Sequence, residues 1–410
     1  MTTAWILIIG AGALAFYTYF GYPLVLLCWS SLRRAKRRTT PPPDTGAGEA
    51  PREWPYLSIT VPVYNEEAQI RGLIESLLAL DYPEDRRQIL IVSDASTDRT
   101  DEIVAEYADR GVELLRMPRR SGKTAAENAA RVHLRGEIVI NTDASIRIDP
   151  AAPKRLVARF ADPTVGVASA RDISVARIDG DPNAGESGYV GYEMKIRELE
   201  DRIYGIIGAS GCCYAIRADL HRLTLPDALS RDFAAALHAH EHGYRATTVN
   251  DAICYVPRAG SLQREYRRKL RTMIRGMQTL RYKRHLLDPR RYGVFAWMLF
   301  SHKICRWAVP WALLGAALGV AILSLEHTTA RWLLGAGLAG ALLAFAGWRW
   351  PEGSKPPRLL ALPAFLLIGN LAAIHAAVLA MRGVQNPTWE PTRRDAVPAP
   401  AATTHRGAGG

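Results

Sequence analysis

The sequence predicts an α/β unit with a mostly parallel central sheet and transmembrane helices on both sides of it. Three observations predict this. Between about residues 55 and 285, short Val/Ile/Leu runs alternate with segments of helical spacing. One charge-free apolar run precedes that region, and three apolar runs follow it. Basic clusters stand where the apolar runs meet the α/β region.

The first element is "AWILIIGAGALAFYTYFGYPLVLLCW" (4–29), which carries no charge. At about 1.5 Å per residue it spans a ~30 Å hydrocarbon core. No basic stretch precedes it, and its aromatics and Pro23 do not resemble a cleavable signal. We read residues 1–32 as a transmembrane helix. "RRAKRR" (33–38) holds its inner end in the cytoplasm and leaves the N-terminus outside. A basic, Pro-rich linker (33–54) follows, with "TTPPPDTGAGEAP" (39–51) expected to be disordered.

The soluble domain is expected over 55–260. Its strands are "LSITVPVY" (57–64), "QILIVSD" (88–94), "VELLRM" and "GEIVINTD", with helices between them. Near-continuous apolar strands mean a parallel sheet covered on both faces, and such sheets bind ligands at the carboxyl ends of their strands. Asn65, Glu66, Asp94 and Asp143 stand at those ends. Residues 261–306 are expected as interfacial helices, because Arg, Tyr and Trp cluster there before an apolar run. Three spans are expected within 307–381, and 382–410 reads as a mostly disordered tail. If all three cross, the tail ends outside.

Net charge is +12, but it lies beside apolar runs, which fits anionic lipid rather than nucleic acid. The five cysteines form no CxxC pair, so a disulfide framework or a zinc site is not expected. "RRSGKT" lacks the upstream glycine of a phosphate-binding loop. "HAHEH" (238–242) places His238 and His242 on one helix face, turned away from Asp232 and without an evident third ligand.

The motifs "VPVYNEE", "VSDASTDRT", "SGKTAAENAA", "NTDAS", "GASGCCYAIR", "SRDF" and "EYRRKLR" follow one another in this order. Together they resemble glycosyltransferase family 2, the membrane-bound inverting kind of bacterial polysaccharide and glycolipid synthesis. The resemblance implies a GT-A fold and a nucleotide-sugar donor such as a UDP-sugar. It implies that Tyr64, Asn65, Glu66 and Asp94 hold the nucleotide, and that Lys123 and Asn128 line the ribose–diphosphate side. It places Asp143 and Ser145 at the diphosphate with Mg²⁺ or Mn²⁺, although Ser145 stands where a second acid is usual. A hard cation needs only one or two protein carboxylates. The alternative for Asp143 is a helix cap.

The resemblance also implies that Asp232 is the general base, with Glu186, Glu193 and Glu200 as the next candidates. Arg231 beside it would stabilise its ionised form if it pointed inward. Ser210 and Gly211 would form the acceptor turn, with Cys212 and Cys213 as packing residues. Arg268 or Arg271 would meet the diphosphate, since QxxRW is absent and Glu265-x-x-Arg268 has its spacing. The implied partners are the donor, a lipid or glycan acceptor and the bilayer, with oligomeric state open. "WEPTRR" (389–394) resembles the family's tail, which implies a cytoplasmic place for it and conflicts with three late spans. Two other readings remain: a catalytically weak membrane scaffold of the same fold, and a basic membrane-surface protein.

Overall fold

A computed structural model describes residues 1–37, 53–175, 184–257, 262–351 and 357–384. Most of the expected linker and tail, including "WEPTRR", lies outside these residues.

Eight strands form one sheet: β1 (Leu57–Val63), β2 (Arg87–Ser93), β3 (Val112–Arg116), β4 (Ile138–Thr142), β5 (Arg147–Ile148), β6 (Val165–Val175), β7 (Cys213–Arg217) and β8 (Arg245–Pro257). Their order is β3-β2-β1-β4-β7-β6-β8-β5. The pairs β1–β2, β1–β4, β2–β3 and β6–β8 are parallel. β7 is antiparallel to both β4 and β6, so it enters the sheet at the end where β4 leaves it. Every residue of β1 is buried, as expected for a central strand covered on both faces.

Helices cover the two faces. One face packs Ile59, Val61, Ile89 and Ile140 against Ile70, Leu73, Ile74 and Leu77 of the helix Ile70–Leu78. The other packs Val92, Val139 and Tyr214 against Ala126 and Ala130 of the helix Lys123–Ala130 and Ala235, Ala236 and Ala239 of the helix Arg231–Glu241. A third cluster joins this domain to the apolar helices. It contains Tyr22 and Leu26, Ile196 and Leu199, Phe233 and Leu237, and Phe295 and Met298.

Among the described residues, four helices are long and apolar enough to cross a membrane: Thr2–Arg33, Pro289–Ser324, Thr328–Trp348 and Arg358–Met381. The segment 291–306, expected to be a separate interfacial helix, runs through a π turn at Phe300–Cys305 into the helix Arg306–Ser324. Its apolar face is spent on the sheet domain, where Phe295, Met298 and Leu299 are buried.

The last helix, Arg358–Met381, starts against the end of the helix Thr328–Trp348 and runs beside the arginine-rich helix that follows β8. At its start, a Cβ on Gly347 would lie 2.5 Å from the Leu360 carbonyl, so the helices touch backbone to backbone there. It then follows the arginine-rich helix Leu262–Tyr282: Leu262 packs on Ala364 and Ile368, and the Tyr266 hydroxyl meets His375 Nδ1 at 2.8 Å. Beyond its end, the Val384 carbonyl accepts from Gln278 Nε2 at 2.7 Å. The two helices therefore run side by side in the same direction.

Candidate active site

The carboxyl ends of β2, β1 and β4 lie side by side, and each leads into a polar turn. Asp94 follows β2 and is buried. Its two oxygens accept from the backbone N–H groups of Ser121 and Gly122, at 2.7 and 2.8 Å. Gly122 has φ +96°, a conformation that favours glycine, and it opens the helix Lys123–Ala130. Asp94 thus fixes the loop that presents Lys123.

Lys123 Nζ donates to Asp143 Oδ1 at 2.5 Å and to the Gly211 carbonyl at 3.2 Å. Burial alone would lower the pKa of this ammonium, but Asp143, Glu127 and Asp232 around it hold it above the usual lysine value. Asp143 ends β4 and stays a quarter exposed, at 27%. No helix follows it. Its carbonyl accepts from Ile146 N in a turn that leads to β5, so the helix-cap alternative is excluded. Asp149 stands just before the helix Ala152–Ala158, with Oδ1 accepting from Ala151 N at 3.1 Å. Ser145 is half-buried within the Asp143 turn.

Asp232 enters from the other side, in the first turn of the helix Arg231–Glu241. The Ser230 hydroxyl donates to its Oδ1. Its Oδ2 lies so close to Gly211 that a Cβ there would sit 2.7 Å away. Gly211 therefore separates two carboxylates: its carbonyl receives Lys123, which holds Asp143, and its α-carbon faces Asp232. The expected contribution of Arg231 is different. Its guanidinium turns away to Asn128 Oδ1, at 2.7 Å, and to the His221 carbonyl.

Several expected binding residues are engaged in holding the site. Asn128 donates to the Leu225 carbonyl and to Asp227 while it accepts from Arg231, so it ties down the segment before Asp232. The Ser210 hydroxyl donates to Asp172 Oδ1 at 2.6 Å and accepts from Cys212 N. Asn65, at φ +51°, accepts from Thr97 N at 2.8 Å and braces the loop after Asp94. Glu66 is buried, and its backbone N–H donates to Thr100. The Tyr64 ring lies under the Arg120 guanidinium at 3.9 Å, a cation–π stack at the rim of the cleft. Burial pushes the Cys213 thiol pKa up, in keeping with a packing role.

Arg268 pairs with Glu265 through two 2.8 Å hydrogen bonds, and Arg271 lies one turn short of the arginine that reaches the site. That residue is Arg275, whose Nη2 donates to Thr124 Oγ1 and the Leu229 carbonyl, next to Lys123. It was missed, although it lies seven residues after Arg268 and so on the same helix face. Glu127 was missed as well. It sits one turn after Lys123, is fully buried, and its carboxyl makes no hydrogen bond among the described residues. Burial raises its pKa. Of the reserve bases, Glu193 and Glu200 both hold His302, and the side chain of Glu186 lies outside the described residues. At "HAHEH" the third donor is Glu241, within 4.8 Å of His238 and His242, but Lys283 and His285 already occupy that carboxylate.

The model of Glycosyl transferase family 2 matches residues 58–223, which span β1 to β7 and so the whole Asp94–Lys123–Asp143–Gly211 array. Residues 58–223 are therefore a glycosyl transferase family 2 domain. A relative in Synechocystis, a beta-monoglucosyldiacylglycerol synthase, is 34% identical over 145 residues. That match covers 34% of this chain and 30% of the relative. A dolichyl-phosphate beta-glucosyltransferase of Trichomonas vaginalis is 39% identical over 99 residues, 22% of this chain and again 30% of the relative. The chain thus spans less than a third of the length of either relative.

Among solved structures, a mannosyltransferase from Pyrobaculum calidifontis, in complex with GDP-Man and Mn²⁺, superposes with a TM-score of 0.67 at 26% identity. That similarity covers 92% of this chain and all of the other. It therefore reaches beyond the family 2 domain into the helices that flank it, and the GT-A-like fold is shown by both comparisons.

Proposed function

We propose that this chain is an integral-membrane inverting glycosyltransferase. It moves a sugar from a nucleotide-diphosphate donor to a hydroxyl of a lipid or glycan acceptor. One observation carries the reading. Asp143 and Asp232 flank the Gly211 turn, with Lys123 bridging Asp143 to it, at the carboxyl ends of parallel strands. Such a pair provides a donor end and a proton acceptor on two sides of one small turn.

In this reading the nucleotide enters over β1 and β2, beside the Tyr64–Arg120 stack, and is a UDP-sugar by resemblance. The Pyrobaculum mannosyltransferase binds GDP-Man, so the test must include both bases. A divalent cation fits at Asp143. The carboxylate is partly exposed, Ser145 adds a hydroxyl in the same turn, and Lys123 already marks the place as one that takes positive charge. Bound there, Mg²⁺ or Mn²⁺ supplies Lewis-acid neutralisation of the diphosphate. Lys123 orients Asp143 and adds a fixed positive charge beside it. Asp232 accepts the acceptor's proton as its oxygen attacks from the face opposite the diphosphate. Arg275 holds the Thr124 and Leu229 segments on which Lys123 and Asp232 stand.

We infer a cytoplasmic catalytic domain from the basic residues that border the apolar helices. In this reading the last apolar helix lies along the interface rather than across it, because it follows the arginine-rich helix from Leu262 to Gln278. Three helices then cross, which agrees with the cytoplasmic place that the resemblance implies for "WEPTRR".

The deciding experiment uses purified full-length protein with UDP- and GDP-sugars, with and without Mn²⁺, and measures nucleotide release and sugar transfer to membrane lipid extracts. Transfer with at least one donor, lost on chelation, is the expected result. Tight donor binding with no transfer to any extract would favour the scaffold reading.

A further inference from the structure

On the far side of Asp232 from the donor residues, the helix Ala184–Ile203 and the segment Phe300–Cys305 enclose charges that do not balance. Glu193 is matched by Arg306 at 2.6 Å and by His302 at 2.7 Å. Glu200 is matched by His302 at 2.6 Å and by the Tyr22 hydroxyl at 2.6 Å. Lys303 and Arg197 remain. Among the described residues, neither has a carboxylate at ion-pair distance, although both lie in the field of the same cluster. Arg197 Nη1 is buried without a hydrogen-bond partner among the described residues, and Nη2 reaches only the Ala209 carbonyl, at 3.5 Å. Lys303 Nζ stands 5.1 Å above the Phe233 ring.

Lys303 therefore ends on the segment that carries Asp232, and Arg197 on the Gly211 turn that faces it. Ala209 is two residues before Gly211, and Phe233 is the residue after Asp232. A half-buried cation with no direct ion pair is poorly compensated, and a bound anion would supply that pair. A planar guanidinium fork beside a compact ammonium suits phosphate oxygens. Lys303 also lies in a helix long and apolar enough to enter a bilayer.

We propose that Arg197 and Lys303 form a phosphate subsite for the acceptor, which is then a phosphate-bearing lipid whose reacting end reaches Asp232. The proposal rests on the transferase reading and names the acceptor class of the same site.

The test uses the full-length protein in dodecyl maltoside and follows thermal unfolding with dodecyl phosphate or dodecanol. Dodecyl phosphate should raise the Tm and dodecanol should not. Arg197→Gln and Lys303→Gln should each weaken the dodecyl phosphate response at least tenfold in concentration, while donor nucleotide still raises the Tm. Lys303→Arg, which keeps the charge, should restore the response and so separates charge from packing. Equal responses in wild type and both Gln variants would overturn the subsite. Nanodiscs of phosphatidylglycerol and of phosphatidylcholine distinguish the source of the phosphate. Stabilisation of wild type by phosphatidylglycerol that disappears in both Gln variants would make the occupant a bilayer headgroup and sink the acceptor assignment. None of these readouts needs sugar transfer, so a failed transfer assay counts against the enzyme reading alone.

Discussion

In the donor half of the site, Asp94 and Asp143 stand at the ends of nearby parallel strands, and backbone groups hold them. Ser121 and Gly122 N–H groups grip Asp94, and the Cys212 carbonyl receives Asp143 N. In the acceptor half, Asp232 begins a helix whose place depends on side chains from distant elements. Asn128 and the His221 carbonyl hold Arg231, Thr279 receives Ser230 N, and Arg275 crosses to Thr124 and Leu229. The first half is built by the sheet. The second is built by long polar side chains that must all arrive before it exists. Damage to the first should therefore stay local, whereas damage to the second should spread.

The sharpest contrast is between the two carboxylates. Asp232→Asn should slow transfer by roughly 10²–10⁴ and leave donor affinity nearly unchanged, because the amide keeps the shape and cannot take a proton. Asp143→Asn should instead weaken donor binding and abolish its response to Mn²⁺. Calorimetric titration of donor into each variant, beside a turnover assay, checks this. The distinction between the halves breaks if both variants lose donor binding alike.

A second contrast separates local from spreading damage. Arg275→Ala leaves the Thr124 hydroxyl and the Leu229 carbonyl without their charged donor, at a cost of roughly 1–3 kcal/mol. It should lower the Tm and also the transfer rate. Tyr64→Ala at the donor rim should weaken nucleotide binding and leave the Tm almost unmoved. Differential scanning of both variants decides. An unchanged Tm in Arg275→Ala would mean that the acceptor half does not depend on that arginine.

Acid should also find the acceptor half first. Burial holds the imidazoles of His238 and His240 down at about 4, below the usual value of 6.5. Between those values the unfolded chain binds more protons than the folded one, so stability rises with pH there. The contribution is complete above about pH 6.5, declines as pH falls towards 4, and does not change further below 4. For His240 it amounts to about 3 kcal/mol. Melting curves from pH 7.5 to 4 should show this loss, and His240→Phe should reduce it. The smallest effect is expected in the donor half. Ala95 sits at φ +58°, a left-handed conformation that costs a non-glycine residue roughly 1–2 kcal/mol. Ala95→Gly should raise the Tm by a degree or more, with donor binding unchanged. A lower Tm would show that the loop needs the methyl group.

This contrast also explains what could be read in advance. The apolar runs of β1, β2 and β4 and the acids that end them follow a local pattern of period and punctuation, so Asp94 and Asp143 were visible in the sequence. Lys123 was visible too, but its ion pair with Asp143 was not, because nothing in "SGKT" says which way the lysine turns. Asn128 and Ser210 look like ligand contacts in their motifs. Their side chains are engaged by Asp227 and Asp172, partners 99 and 38 residues away, which no local pattern reveals. Arg275 lay in plain sight on the arginine-rich helix, one heptad past the residue that the motif spacing favoured. The final apolar helix was legible as a helix from its composition. Its course beside Leu262–Tyr282 depends on Tyr266, Gln278 and the Gly347 contact, and so on the whole assembly.

The hydrogen bonds of Tyr17 to Ser301 and of Tyr22 to Glu200 join partners 284 and 178 residues apart. During synthesis the first helix emerges first and waits for both. The strands β1 to β4 can pair while the ribosome is still working, since their partners are near in sequence. The cradle around His302 cannot close until the second apolar helix has been made and has docked, and non-local closure of this kind is slow. A chain stopped before residue 300 should therefore hold a formed sheet and an unformed acceptor side, exposed to chaperones and proteases. Docking of the later helices becomes the step that completes the site.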